Sequence, residues 1–174
     1  MNHKLHAIRA FICLLLLSWS PFSAASSLLG IYAGVAVGQA EIKNSDPVLD
    51  SSTAKVYAGY RILGPIAVEV ASVDLGEYGT LPTKVSGTSA DVVLFLPAGP
   101  INVFAKAGVF SWDVDYNGAL PADSGVDAKS GFGVEYNMLL NLDLRLEWER
   151  YTGVGGSTLN SDIDMLSLGI NIAF

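Results

Sequence analysis

Downstream of Cys13 the chain has no cysteine, and downstream of His6 it has no histidine. Beyond residue 13 this excludes disulfide frameworks and the usual Cys- or His-based zinc sites. It equally excludes nucleophilic mechanisms that need an imidazole base. Cations are scarce: 10 Lys and Arg stand against 17 Asp and Glu, for a net charge of -7. A pI of about 4.6 argues against nucleic acid, which selects basic faces. No run beyond residue 25 has the roughly 20 apolar residues that a membrane-spanning helix needs. Yet 51% of the residues are hydrophobic and the mean hydropathy is +0.41. High hydrophobicity without a spanning helix leaves a densely packed soluble core or a lipid-facing barrel wall.

The first 25 residues read as a processing segment rather than as structure. Lys4 and Arg9 precede an apolar run from Ala10 to Trp19, Pro21 breaks the run, and Ser23-Ala24-Ala25 supplies small residues for cleavage after Ala25. Residues 1–25 are thus expected to be an export signal and 26–174 a single domain. Cys13 opens the apolar run instead of following it, which disfavours lipoprotein processing.

What the remainder does have is alternation. At the end of the chain Leu166, Leu168, Ile170, Ile172 and Phe174 alternate with Ser167, Gly169, Asn171 and Ala173. Period two places the first set on one face of a strand and the second on the other. Seven further segments share the pattern: 29–40, 53–63, 66–75, 86–96, 101–112, 129–136 and 142–151. The seventh of the eight is the clearest, with Leu142, Leu144, Leu146 and Trp148 against Asp143, Arg145, Glu147 and Glu149. A helix period would not keep this parity, and each segment is near the roughly 9–11 residues a tilted transmembrane strand requires.

The connections alternate too. Residues 63–65, 97–100 and 137–141 are short and rich in turn formers, whereas 42–52, 76–85, 113–128 and 152–164 are longer and polar. Short turns on one side and long loops on the other are the pattern of an outer-membrane barrel, with both termini in the periplasm. Tyr60, Tyr136 and Phe174 fall outward near that rim, where an aromatic girdle belongs. The face opposite the apolar one holds nearly all the strand charges, and a soluble core could not absorb them. The expected fold is therefore all-β: an eight-stranded antiparallel up-and-down transmembrane β-barrel.

Glu69, Lys106, Glu135 and Arg145 lie on inward faces near the middle of their segments. In a lumen just wide enough for side chains to fill it, two carboxylates and two cations are expected to pair as one network. The bland reading is a structural polar plug. The sharper one is a gate, in which Arg145 or Lys106 competes for Glu69 and a small pore opens when the pairing switches.

Gly133-Val134-Glu135-Tyr136, Arg145-Leu146-Glu147-Trp148 and Met165-Leu166-Ser167-Leu168-Gly169, closing on Phe174, resemble the last three strands of the transmembrane domain of outer membrane protein A. Lys106 within Ala105-Lys106-Ala107-Gly108 and Glu69 within Val68-Glu69-Val70 fall where that family has its other luminal charges. The resemblance implies an interior salt-bridge network, which in that family is proposed to gate a narrow pore. Ala36 stands where the family pattern has an inward lysine, a departure that bears on how complete the network is. A peptidoglycan-binding domain is not expected here, so cell-wall anchoring is not carried over. Ser167, Gly169, Ile172 and Phe174 resemble the C-terminal insertion signal of such barrels. The implied partners are outer-membrane lipid and lipopolysaccharide, with periplasmic chaperones and the barrel-assembly machinery during biogenesis. The expected state is a monomer.

Catalysis is disfavoured by the missing histidine: Ser86, Ser89 and Ser111 have no imidazole to activate them. Asp91, Glu147 and Glu149 are inward, but carboxylates in a lumen are more often salt-bridge partners. The expectation is no enzyme, no cofactor and no metal site, and a structural role in the envelope. The alternative is a surface adhesin or ligand-binding barrel acting through loops made acidic by Asp46, Asp50, Glu77, Asp113, Asp115, Asp123, Asp127, Asp162 and Asp164. Of aromatic anchors for such binding, Trp112 and Tyr116 lie together at one loop tip. Gly153 to Ser157 reads as a loop and not as a phosphate cradle, because no helix or lysine follows.

Overall fold

The computed structural model describes residues 30–43, 49–78, 83–116, 122–139, 141–155 and 161–174. The signal segment expected over 1–25, its cleavage position and Asp46 lie outside them. Eight strands follow in chain order: β1 (Gly30–Ile42), β2 (Leu49–Leu63), β3 (Ile66–Tyr78), β4 (Thr83–Ala98), β5 (Ile101–Asp115), β6 (Asp123–Leu139), β7 (Leu142–Val154) and β8 (Ser161–Ala173). Each pairs antiparallel with its sequence neighbour, and β8 returns to β1, closing an eight-stranded barrel. Closure removes the unpaired sheet edges that no membrane tolerates.

The strands are tilted, as closure requires. Val35 on β1 is opposite Val56, Val56 opposite Ser72, Ser72 opposite Thr88, Thr88 opposite Ser111, and Ser111 opposite Val126. A line perpendicular to the strands thus climbs from the middle of β1 to the far end of β6. The short connections and the described chain ends lie at one end, here the terminal end, and the four long connections at the other, the loop end. Gly64 (φ 47°) and Gly99 (φ 70°) take the left-handed conformation that the tight turns after β2 and β4 demand. The last residues are pinned by Ala173 N–H to the Asn141 carbonyl at 3.0 Å and Phe174 N–H to the Ile31 carbonyl at 2.8 Å.

Every face assigned by alternation is the observed one, but the strands run further. β5 continues to Asp115 and β6 begins at Asp123, well inside the stretch 113–128 expected to be loop. The parity never breaks there; on β5 the polarity inverts. Ser111, Asp113 and Asp115 face outward while Trp112, Val114 and Tyr116 are buried inside. A sequence reading that looks for apolar residues outside takes such a stretch for loop. Trp112 and Tyr116 are accordingly not anchors at an exposed tip: they are 2% and 8% exposed and belong to the barrel interior.

Candidate functional site

Toward the terminal end Tyr32, Tyr57, Phe95 and Phe104 form an aromatic cluster among polar inward residues, with Phe95 5.6 Å from Phe104 and edge-on to Tyr32 at 6.3 Å. Nearest the loop end is an apolar layer that includes Leu75, Val85, Phe110, Trp112, Tyr151, Ile163 and Met165, all buried. Phe110 and Tyr151 meet there edge to face at 4.6 Å. Below the apolar layer runs a continuous chain of ion pairs, which extends past the aromatic cluster to Arg61 and Glu135.

The structure brings Glu69, Lys106, Glu135 and Arg145 together. Lys106 Nζ is 3.1 Å from Glu69 Oε1, and Arg145 Nη1 is 2.8 Å from Glu69 Oε2 and 3.5 Å from Glu135 Oε1. Tyr32 OH donates to Glu69 at 3.0 Å, so that carboxylate is held from three sides. The Arg145 guanidinium lies between rings, 4.2 Å from the Phe104 centroid and 4.6 Å from that of Tyr57. Cation–π attraction of this kind strengthens when the cation is desolvated.

The cluster is larger than these four residues. Lys106 also contacts Glu147 and, at 2.7 Å, Glu149. Lys55 bonds both Glu147 and Glu149 at 2.6 Å. Lys129 meets Asp91 at 2.8 Å and Glu149 at 2.7 Å, and donates to Ser89 Oγ at 3.0 Å. Arg145 Nε is 3.2 Å from Glu147, and Arg61 reaches Glu135 at 3.5 Å. Among the described residues the cluster therefore joins five cations (Lys55, Arg61, Lys106, Lys129, Arg145) to five carboxylates (Glu69, Asp91, Glu135, Glu147, Glu149). Its formal charge is zero. Neutrality matters because an unpaired ion buried in the lumen would carry a desolvation penalty of several kcal/mol. Glu135 is the most loosely held, with both cation contacts at 3.5 Å. Asp143 stands apart, accepting from Asn137 Nδ2 at 2.9 Å.

Lys55, Arg61, Asp91, Lys129, Glu147 and Glu149 are the members that sequence reasoning left out of the network. Parity placed them inward, but membership depends on height along the barrel, which follows from register and tilt. Ala36 illustrates the point. Ala36 is opposite Lys55 on β2 and Gly169 on β8, so a cation enters from the neighbouring strand. Lys55 reaches β7 across β1 and β8, whose inward residues at that level are Ala36, Gly38, Ser167 and Gly169. Their small size leaves the width for its stem. A Cβ on Gly38 would strike the Leu166 carbonyl, and one on Gly169 the Val35 carbonyl and Ala36. Of the four residues of the C-terminal pattern, Ser167 and Gly169 face the lumen and Ile172 and Phe174 face outward, Phe174 at 76% exposure.

Chemically, the described lumen residues compensate one another's charge. Ser89 is engaged with Lys129 and Asp91, and the described residues contain no group of three or more metal-ligating side chains arranged to hold an ion.

No protein of curated function matches the chain in sequence. Among solved structures it is similar to Neisserial surface protein A, at 19% identity over 83% of this chain and 97% of that one, with a TM-score of 0.70. It is similar to the N-terminal β-barrel domain of Pseudomonas aeruginosa OprF at 15% identity, covering 83% and 99% with a TM-score of 0.62. It also resembles Ail of Yersinia pestis, solved with the heparin analogue sucrose octasulfate, at 14% identity, 83% and 99% coverage and a TM-score of 0.58. At these identities the likeness is one of fold. Residues 10–174 match the model of the outer membrane protein beta-barrel domain, and the chain belongs to that family.

Proposed function

We propose that this protein is a closed structural barrel of the bacterial outer membrane, its termini in the periplasm and its long connections at the cell surface. The observation that carries this reading is the charge-compensated luminal cluster beneath a packed apolar layer at the loop end. Lys106, 4% exposed, is surrounded by Glu69, Glu147 and Glu149, and the apolar tier from Leu75 to Met165 closes the loop-end mouth. A gate that worked by moving Arg145 from one carboxylate to another would still face that apolar tier, which no exchange of ion pairs displaces. An envelope role without conduction or catalysis fits these contacts, since each buried carboxylate of the cluster already neutralises a cation.

The adhesin reading has less support. Its aromatic anchors, Trp112 and Tyr116, are turned inward. The ligand in the Ail complex is a polyanion, whereas the loop-end exterior here carries Asp50, Glu77, Asp113, Asp115 and Asp162. That ligand class is not transferred.

Two measurements on the refolded protein test the proposal. Its gel mobility should shift on boiling, because a closed barrel resists detergent until heated. It should also add no conductance to a planar bilayer. Steady single-channel openings from the heat-modifiable form would replace the closed barrel with a pore.

A further inference from the structure

The barrel has two exteriors. On β5 the outward residues nearest the terminal end are Ile101, Val103, Ala105, Ala107 and Val109, and those nearest the loop end are Ser111, Asp113 and Asp115. β8 runs the other way and shows Asp162 and Asp164, then Leu166, Leu168, Ile170 and Ile172. The interior inverts at the same level. Through the middle of the barrel it is polar, with Lys55, Glu69, Lys106 and Glu147. Toward the loop end it is apolar, with Leu75, Val85, Val114, Val154 and Ile163 all at 0–1% exposure.

A wall that is apolar outside and polar inside suits lipid; the reverse suits water. One barrel carrying both must therefore cross a solvent boundary where the dressing switches. On β1 to β5 a row of uncharged hydrogen-bonding side chains stands between the last outward apolar residues and the first outward charges. On β6 it continues at Ser130, beyond which the outward residues are Ala128, Val126 and Ser124. The row consists of Gln39, Ser52, Ser72, Thr88, Ser111 and Ser130, every one exposed. Register links them: Gln39 is opposite Ser52, and Ser72 opposite Thr88, which is opposite Ser111. Ser130 is opposite Arg150, whose guanidinium is tied to Asp164 at 2.7 and 2.8 Å.

We propose that these six residues form an uncharged collar in contact with the lipid headgroups at the loop-end face of the membrane, and that the barrel above it stands in water around an apolar core of its own. The proposal rests on the outer-membrane reading and adds to it where the bilayer ends and what meets it there. Three further observations agree. The stretches Ile101–Ser111 and Ser52–Ile62 match the roughly 9–11 residues a tilted strand needs to cross, whereas β5 has 15 residues and β6 has 17. The surplus projects at the loop end. The described outward aromatics are Tyr60, Tyr136 and Phe174 near the terminal end, and only Phe132 and Trp148, 5.1 Å apart, below the loop-end boundary. A full aromatic girdle is thus absent among the described residues at that face, and hydroxyls with the Gln39 amide occupy its place on β1 to β5. Small hydroxyl groups both donate and accept, which fits the ester and phosphate oxygens of a headgroup layer without a charge of either sign.

The test uses single cysteines in a chain whose one native cysteine, Cys13, is replaced by serine. Nitroxide labels are placed at Ala105, Val109, Ser111 and Asp113 on β5 and at Val126, Ser130 and Phe132 on β6. The labelled barrels are studied in phosphatidylcholine nanodiscs, where both faces are accessible. Collision with oxygen should dominate at Ala105, Val109 and Phe132, and collision with a water-soluble nickel chelate at Asp113 and Val126. The crossover should fall at Ser111 and Ser130. Val126 is the sharpest position: it is apolar and 62% exposed, so lipid would suit it by hydrophobicity alone, yet the collar places it in water. Lipid-like readings at Asp113 or Val126, or aqueous ones at Ala105, overturn the collar. Boiling-dependent gel mobility is checked on each labelled variant. If it is lost in all of them and in the parent, the barrel reading falls together with the collar. If it is kept while the crossover lies elsewhere, only the collar falls.

Discussion

Arg145 and Glu69 are 76 residues apart in the chain and 2.8 Å apart in the lumen. Both are buried, and each is tied to a further partner: Glu69 to Lys106, Arg145 to Glu147. Removing Arg145 leaves Glu69 with Lys106 alone among cations and the buried cluster with one uncompensated carboxylate. Arg145→Ala should destabilise the barrel by about 3–5 kcal/mol, the usual cost of breaking a buried pair from one side. The double variant Arg145→Ala with Glu69→Gln should lose less than the single one, because the orphaned charge goes as well. Urea titration in lipid vesicles, read by gel mobility, measures both. Strictly additive losses would mean the two residues do not share one network.

The wall was legible in the sequence because it obeys one rule, period-two alternation, and Leu142 to Glu149 display it almost without exception. The ends of β5 and β6 were not. Beyond Ser111 the alternation on β5 continues with its polarity reversed, and the start of β6, Asp123 to Asp127, offers only Val126 as an outward apolar residue. A reader tracking apolar residues outside thus loses both strands. The ion cluster was half legible for another reason. Parity gives the side of the wall on which Lys55 or Asp91 lies, but not its height. Lys55 meets Glu147 and Glu149 across two intervening strands, a neighbourhood created by tilt and closure. No local pattern contains that information.

The outward and inward faces should differ sharply in tolerance. Leu144 is outward at 37% exposure and Ser167 inward at 3%. Leu144→Arg should cost about 2–4 kcal/mol where the site is near the bilayer midplane. Ser167→Ala should be mild, since the Ser167 side chain donates no hydrogen bond within the barrel that the change would break. The same vesicle titration decides it, and equal losses would invert the assignment of faces.

Glycine positions separate crowding from backbone strain. A Cβ on Gly59 would run into the Tyr32 ring, which is itself held by its bond to Glu69. Gly99 has nothing within 4 Å of such a Cβ but sits at φ 70°. Gly59→Ala should therefore cost about 1–3 kcal/mol through overpacking, and the double variant with Tyr32→Ala should recover part of that loss. Gly99→Ala should cost about 1 kcal/mol through its backbone alone, with no rescue from Tyr32→Ala. Rescue of both variants, or of neither, would remove the distinction.

The loop-end core should behave as a packed interior and not as a loose mouth. Phe110 is fully buried, edge to face with Tyr151 at 4.6 Å, and a Cβ on Gly87 would meet its ring. Phe110→Ala should cost about 3–5 kcal/mol, the range for deleting a core aromatic, although the residue lies at the end of the barrel farthest from the chain termini. Amide exchange gives the decisive comparison. In the wild type, the backbone of β5 around Phe110 should be protected nearly as well as that around Lys106. In Phe110→Ala, protection should fall above Ser111 and persist around Lys106, because the ion cluster is held by contacts that do not involve Phe110. Uniformly fast exchange above Ser111 in the wild type would show that the loop-end tier frays, and the apolar layer would then offer no seal above the ion pairs.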